Sequence, residues 1–570
     1  MESARTFGLP LSPPLRGDSL PQAGERNGRN SRRRLFNQVT EVNKTPQRTA
    51  AASAEAQRLL AQYAKRIEQA AGRVYDVADV TALEHAPKLS ARLGCKLLLK
   101  REDTQPVYSF KLRGAYNKMA SLSDEARAHG VVTASAGNHA QGVALSAAKL
   151  GIPSSIVMPR TTPAIKVDAV RSLGGKAILH GDAYDDALAH ALELVDRGMT
   201  LVHPYDDPEV IAGQGTIARE ILEQLPQLGV EKLDAVFVCV GGGGLLAGIA
   251  AWIKHKSPHT KVICVEPDDS NCMGAGLKAG RRIKLAQAGL FADGVSVRQA
   301  GEEPFKLARH FVDDCVEVSI DEICAAIRDL FNEKRAVPEP AGALGIAGVK
   351  RYAQTHDLSG KTVCAIVSGA NINFDRLRYV AERAELGDDA ETLLAVTIPE
   401  KPGSFKKFLS HLRRRPITEF NYRYSSSGAA HVFVGIKITE GAAEREKLIQ
   451  ILREQDLPVA DMTGNEMAKL HVRFMVGGRA PGLADEHLFR FVFPERPGAL
   501  EDFLHAIGGR WNISLFHYRN HGAAFGRVLC GLQIPRGQLG DVRRSLDQLG
   551  YEYWEETDNP AYALFLGTRA

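Results

Sequence analysis

No run of apolar residues in this chain approaches the roughly 18–20 needed to cross a bilayer. The longest candidates, such as Leu245–Ile253, have the length of a buried helix, so a soluble protein without membrane contact is expected. An excess of charge of one sign is also missing. Lysine and arginine total 72 against 67 acidic residues, and no basic stripe occurs beyond residue 50, which leaves no call for nucleic acid. The cysteines lack a pattern. Cys95, Cys239, Cys264, Cys272, Cys315, Cys324, Cys364 and Cys530 are scattered, with no Cys-x-x-Cys pair and no histidines at metal-ligand spacing. Several stand in strand-like runs such as Val238-Cys239-Val240, as small buried hydrophobes of a reducing compartment would. Neither a metal nor a disulfide is expected.

What is present is a chain of 570 residues, too long for one hydrophobic core, so two to four domains are expected. Residues 1–50 stand apart. They are rich in Arg, Ser, Pro and Asn, carry Arg32-Arg33-Arg34, and show no hydrophobic periodicity. An apolar secretory core is absent from them. Their Arg and Ser content would suit a plastid or mitochondrial transit peptide; Glu2, Asp18, Glu25 and Glu41 favour a disordered extension on a cytoplasmic protein.

From about Ala51 helical spacing begins, with Leu59, Leu60, Tyr63 and Ile67 on one face. Strand-like runs then alternate with helical stretches up to about residue 387. The runs include Gly130–Ala134, Ser155–Met158, Ala235–Val240, Val262–Val265 and Thr362–Val367; the stretches include Gln141–Leu150 and Thr216–Leu225. This alternation predicts an α/β domain over 51–387 with a mostly parallel sheet under helices. Beyond it the chain repeats itself. Thr397-Ile-Pro-Glu-Lys-Pro-Gly-Ser-Phe405 is echoed by Val492-Phe-Pro-Glu-Arg-Pro-Gly-Ala-Leu500. At nearly the same offset, Ile417-Thr-Glu-Phe-Asn-Tyr-Arg423 is echoed by Ile513-Ser-Leu-Phe-His-Tyr-Arg519. One α+β module of ferredoxin-like kind is therefore expected twice, over 388–470 and 485–565. Each copy should open on a strand, Leu393–Ile398 in the first, with a helix starting near Gly403. Neither copy holds a nucleophile with a base, so the tail reads as regulatory.

Four motifs carry chemistry. Lys111 stands between Phe110 and Leu112 in Ser109-Phe-Lys-Leu-Arg-Gly-Ala-Tyr116, ahead of a helix with Ala115 and Met119 on one side. An amine in so partly apolar a niche has a depressed pKa and can be neutral, as carbonyl chemistry requires. The second motif, Ser135-Ala136-Gly137-Asn138-His139-Ala-Gln-Gly142, lies between a strand and a helix. Its N–H groups could cradle a carboxylate, or it is an ordinary turn with Asn138 as the helix cap. The third, Gly241-Gly242-Gly243-Gly244-Leu245, follows a β-branched strand and opens an apolar helix. Successive N–H groups there form a nest suited to phosphate, and no Lys-Ser/Thr follows as in a nucleotide loop. The fourth, Ser368-Gly-Ala-Asn371, ends the strand Thr362–Val367. It is either a plain turn or a ligand contact at the strand end.

In order and spacing these motifs resemble the pyridoxal-phosphate enzymes of the tryptophan-synthase-β fold (fold type II). From about Gln57 onward the chain resembles the biosynthetic threonine dehydratases, whose catalytic domain of two α/β subdomains precedes paired ACT-like regulatory domains. The resemblance implies pyridoxal 5'-phosphate carried on Lys111, with Phe110 beside the ring and Asn138 on the phenolic oxygen. It implies the phosphate on Gly241–Leu245, Ser368 facing the pyridine nitrogen, and the substrate carboxylate at Ser135–His139. Implied too are L-threonine as substrate, with L-serine also accepted, a homotetramer, and isoleucine and valine as effectors. The repeated aromatic-arginine element offers Tyr422, Arg423, Tyr518 and Arg519 as effector residues, or as packing between modules. Two departures stand out: Thr81-Ala82-Leu83 where the family usually has Thr-Pro-Leu, and Tyr108 where Phe is usual, both expected near the site entrance. Serine racemases and catabolic dehydratases share the fold but usually lack the duplicated tail.

Overall fold

The structure is a computed structural model that describes residues 50–399, 404–412, 415, 417–422, 429–474, 485–494, 502–503, 506–507, 510–519 and 525–566. The expectations for the N-terminal extension, for Arg423 and for both Pro-Gly turns lie outside these residues.

Ten strands occupy the first part of the chain. They are β1 (Leu83–His85), β2 (Lys96–Arg101), β3 (Val131–Ala134), β4 (Ser154–Met158) and β5 (Lys176–Leu179), then β6 (Thr200–Leu201), β7 (Ala235–Cys239), β8 (Lys261–Pro267), β9 (Asp314–Val318) and β10 (Thr362–Val367). Two sheets result, where the residue pattern alone pointed to one. The larger has the order β1-β2-β10-β7-β8-β9 and is parallel apart from β1 against β2. The smaller, β5-β4-β3-β6, is parallel throughout. β7 is buried at every position, which is why its run of apolar residues does not alternate. The helix Gly244–Lys256 behind it is buried from Gly244 to Ile253. Among the described residues no helix is long and apolar enough to cross a membrane.

Helix boundaries differ from the sequence pattern where burial erases it. The helix expected from Thr216 begins at Pro208, its first turn capped by the Asp207 carboxylate, which accepts from the N–H of Glu209 (2.8 Å) and Val210 (3.2 Å). Its stretch Val210–Ala218 is buried on all sides, so no amphipathic period marks it. The helix expected from Gln141 begins at Asn138, with Gly137 at its cap position.

Lys111 opens the helix Lys111–Ala120 rather than preceding it. A buried ionic cluster holds this helix in place. Arg113 pairs with Glu102 (2.8 Å) and with Glu220 (2.5 Å), and Lys100 on β2 pairs with Glu220 (2.5 Å). Thr81 Oγ1 donates to Glu102 (2.6 Å) and Tyr75 to Glu220 (3.0 Å). Two cations balance two anions, all essentially without solvent contact. Such a cluster is tolerated because its charges and hydrogen bonds are matched.

Eight further strands form the tail: β11 (Glu391–Pro399), β12 (Ile417–Tyr422), β13 (Ala429–Lys437), β14 (Val459–Asp461), β15 (Glu486–Pro494), β16 (Asn512–Arg519), β17 (Phe525–Gln533) and β18 (Glu552–Glu555). They pair antiparallel in two sheets of matching order, β12-β13-β11-β14 and β16-β17-β15-β18. In the first, helices Ser404–His411 and Gly441–Glu454 follow β11 and β13; in the second, Leu539–Leu549 follows β17. This is the ferredoxin-like module, present twice. Even a register shift recurs, between Ile417 and Glu419 and between Ile513 and Leu515.

Candidate active site

The four motifs stand at the carboxyl ends of parallel strands. β3 leads into Ser135–His139, β7 into Gly241–Leu245, β10 into Ser368, and the segment after β2 into Phe110-Lys111. In open parallel sheets this is where ligands collect. Hydrogen bonds tie the segments together. The N–H of Phe110 donates to Ser368 O (3.2 Å), that of Ala370 to Tyr108 O (2.9 Å), and Ser109 bridges Gly369.

Lys111 is half-buried among these segments, and desolvation lowers the pKa of its amine despite the opposing charges of Glu339 and Asp293. Phe110 beside it is buried. Asn138 does not cap its helix. Its Nδ2 donates to Glu339 Oε1 at 2.5 Å, and its Oδ1 accepts from Asn371 Nδ2 at 2.8 Å. The His139 ring turns away, its Nε2 at 2.8 Å from Val202 O, and burial followed by Lys111 holds its pKa down at about 3. Ser368 is buried, and its Oγ donates to Ala341 O (3.3 Å) while lying against Cys239, whose thiol burial pushes up to about 11.

Gly241–Leu245 opens the helix Gly244–Lys256. A Cβ on Gly242 would fall 2.2 Å from the Tyr205 ring, and Gly243 has φ +96°, so the loop can be built only from glycine. All five residues are buried. Among the described residues no protein acceptor takes the N–H groups of Gly241, Gly242, Gly243, Gly244 or Leu245. The N–H groups of Ala136, Asn138 and His139 likewise have none. Buried donors left unmatched at two helix N-termini are costly unless an anion meets them. These residues fit a phosphate at the glycine nest, a carboxylate at the asparagine loop and an amine-linked carbonyl at Lys111.

The matches to known proteins agree with this chemistry. The family described as pyridoxal-phosphate dependent enzyme matches residues 39–369. The C-terminal regulatory domain of threonine dehydratase matches twice, at 382–472 and 477–566. The chain is 53% identical over 508 residues to the biosynthetic L-threonine dehydratase of Burkholderia multivorans, covering 88% of this chain and 99% of that one. This chain belongs to the biosynthetic threonine dehydratases. The dehydratase is also 48% identical to the chloroplastic threonine dehydratase 1 of Solanum lycopersicum, over 87% of this chain and 81% of that one. A solved structure, the processed form of threonine deaminase isoform 2 from the same plant, is 48% identical and aligns with a TM-score of 0.55, covering 57% of this chain and 88% of that one. The first family match begins inside the segment whose composition set it apart.

Sequence reasoning missed Glu339, which is buried and whose carboxyl burial pushes up to about 7. The available signal was Pro338-Glu339-Pro340, an acid between two prolines just before an apolar helix. Asn371 was quoted within a motif without a role. Of the two departures, Tyr108 lies at the site, 59% exposed with φ 54°, and Ala82 is an exposed residue whose carbonyl accepts from Arg101. Tyr422 lies on β12 and Tyr518 and Arg519 on β16, the edge strands of the two tail sheets.

Proposed function

We propose that the dehydratase converts L-threonine to 2-oxobutanoate and ammonia, with L-serine as a second substrate that shares the β-hydroxyl. The observation that carries the reading is that Lys111, half-buried with its pKa lowered by desolvation, shares the strand-end site with the unmatched N–H groups of Gly241–Leu245. Lys111 would hold the cofactor's carbonyl carbon, Gly241–Leu245 its phosphate, Asn138 its phenolic oxygen and Ser368 its pyridine nitrogen. Phe110 would pack beside the ring. When bound, the pyridoxal ring would supply the electron sink for the pair left by the bond broken at Cα.

The remaining chemistry belongs to the chain. The N–H groups of Ala136, Asn138 and His139 hold the substrate carboxylate and so fix the direction of the Cα–H bond. Lys111, neutral once substrate has taken its place, removes the α-proton. The ammonium so formed returns a proton to the departing β-hydroxyl. Water lost across Cα–Cβ is regained when the product nitrogen leaves as ammonia. In Lys111→Ala, 2-oxobutanoate release should fall by at least about four orders of magnitude, together with the visible absorbance of the bound cofactor. Retained absorbance and turnover would contradict the assignment.

The tail supports a second element of this reading, feedback by isoleucine with valine opposing it, in a homotetramer. Support comes from the two matches to a regulatory domain and from the equivalent strand positions of Tyr422 and Tyr518. Calorimetry should show isoleucine binding that weakens in Tyr422→Ala and Tyr518→Ala, and sedimentation should give four chains. Unaltered binding in both variants would remove these residues from the effector site.

A further inference from the structure

Asn138 is held at both ends of its carboxamide. A carboxamide offers two N–H donors and one acceptor oxygen. Glu339 takes one donor at 2.5 Å and Asn371 donates to the oxygen at 2.8 Å, which leaves one N–H for a ligand. Asn371 Nδ2 also donates to Val107 O (2.8 Å), which fixes it as a donor, and ionised Glu339 only accepts, so the pair also decides which way the Asn138 amide faces. Three backbone segments close around the same carboxyl. The Glu339 N–H donates to Gly369 O (3.0 Å). A Cβ on Gly369 would lie 2.7 Å from Glu339 Oε1, and one on Gly294 would lie 3.3 Å from it. The carboxyl therefore sits in a fitted recess at the cap of helix Pro340–Ala353, with 4% exposure.

The geometry assigns Glu339 as a positioning residue of the cofactor site: it locks the Asn138 carboxamide and places an ionisable carboxyl within electrostatic reach of Lys111. This rests on the reading of Lys111 and Asn138 given above. Lys111 and Glu339 act on one another: the carboxyl raises the proton affinity of the amine, and the amine favours the ionised carboxyl. Burial pushes Glu339 up to about 7, so its charge changes near neutrality. The other charged and titratable groups facing the pair are Asp293, held by Lys166 (2.7 Å) and Arg376 (3.2 Å), together with Cys239, His139 and His203. Cys239 is pushed up, and burial lowers both histidines.

The test compares Glu339→Gln, Glu339→Ala and Asn138→Ala as full-length chains. Cofactor affinity is measured after resolution with hydroxylamine and reloading with pyridoxal phosphate. The visible band of each loaded protein is then titrated with pH. Glu339→Gln can still accept from Asn138, so its affinity should stay close to the parent's. Loss of the negative charge makes the protonated nitrogen less favourable, so its band should titrate at lower pH by on the order of one unit. Glu339→Ala releases the amide and should weaken cofactor binding roughly tenfold. An unmoved titration in Glu339→Gln, or parental affinity in Glu339→Ala, overturns the inference even when Asn138→Ala is impaired. An Asn138→Ala protein with parental affinity and spectrum would instead overturn the reading of that loop, and this inference with it.

Discussion

Ser368, if it faces the cofactor's pyridine nitrogen as proposed, would offer the ring a neutral hydroxyl, and one that here donates to Ala341 O at 3.3 Å. A hydroxyl cannot hold a proton on a pyridine nitrogen as a carboxylate does, so in that place it would keep the electron sink weak and favour elimination over amine transfer. Ser368→Asp should raise the fraction of turnovers that end with the amino group on the cofactor, read by its changed absorbance; an unchanged fraction would count against this role. At this scale the sequence was legible where a residue's type and its place at a strand end coincide. Lys111, Asn138, Gly241–Gly244 and Ser368 each had such a setting. Glu339 had none, because its meaning lies in a partner 201 residues away. The alternative that Asn138 is only a cap was undecidable from its neighbours. Tertiary contacts with Glu339 and Asn371 decided it.

The Lys111–Ala120 helix shows how an element is held for chemistry. Arg113, two residues after Lys111, is buried with Glu102 and Glu220. Removing one member of such a cluster strands the others, at a cost of roughly 3–5 kcal/mol. Arg113→Ala should therefore lower the urea midpoint of the cofactor-loaded protein with an unchanged slope, and should lower activity through displacement of Lys111. A midpoint within error of the parent's would show the cluster to be dispensable. Helices were legible where one face meets solvent and obscure where none does, whereas strands were legible where burial leaves an unbroken apolar run, as in β3 and β7. The helix Pro208–Gln224 was recognised only from Thr216, because its buried stretch Val210–Ala218 carries no period. β5, β6 and β9 are short or half-exposed and left no apolar run to find. The duplicated modules were legible for another reason: repetition of the sequence itself.

Across the whole molecule, one helix, Arg376–Gly387, touches both the site and the tail. At its start Arg376 pairs with Asp293 (3.2 Å), which holds Lys166 of the smaller-sheet subdomain (2.7 Å). Further along, Arg383 pairs with Asp321 and with Glu466 of the tail (2.8 Å), while Lys469 reaches Asp321 (2.7 Å). Leu470 packs into the catalytic core. If the tail regulates the site, this junction is a physical route for the coupling. Arg383→Ala should retain turnover while shifting the isoleucine response roughly tenfold to higher concentration. A superimposable response curve would exclude the route. The junction should also be acid-sensitive. Burial disfavours ionised Glu466, yet Arg383 and then Lys469 outweigh it and hold the carboxyl at about 2, below its ordinary 4.5. A carboxyl lowered on folding contributes stability above its unfolded value and loses it as pH falls toward the folded one. Thermal midpoints should thus decline between about pH 4.5 and 2, and less steeply in Glu466→Gln; parallel acid limbs would contradict it.

The central claim is that Lys111 carries pyridoxal phosphate for threonine deamination, and it can be read directly. Borohydride reduction of the loaded dehydratase, followed by digestion and mass analysis, should place the phosphopyridoxyl group on the peptide containing Ser109–Tyr116, at Lys111 and in near-unit yield. Prior addition of threonine should reduce that labelling as substrate displaces the lysine. A label on any other lysine, or none at all, would contradict the account.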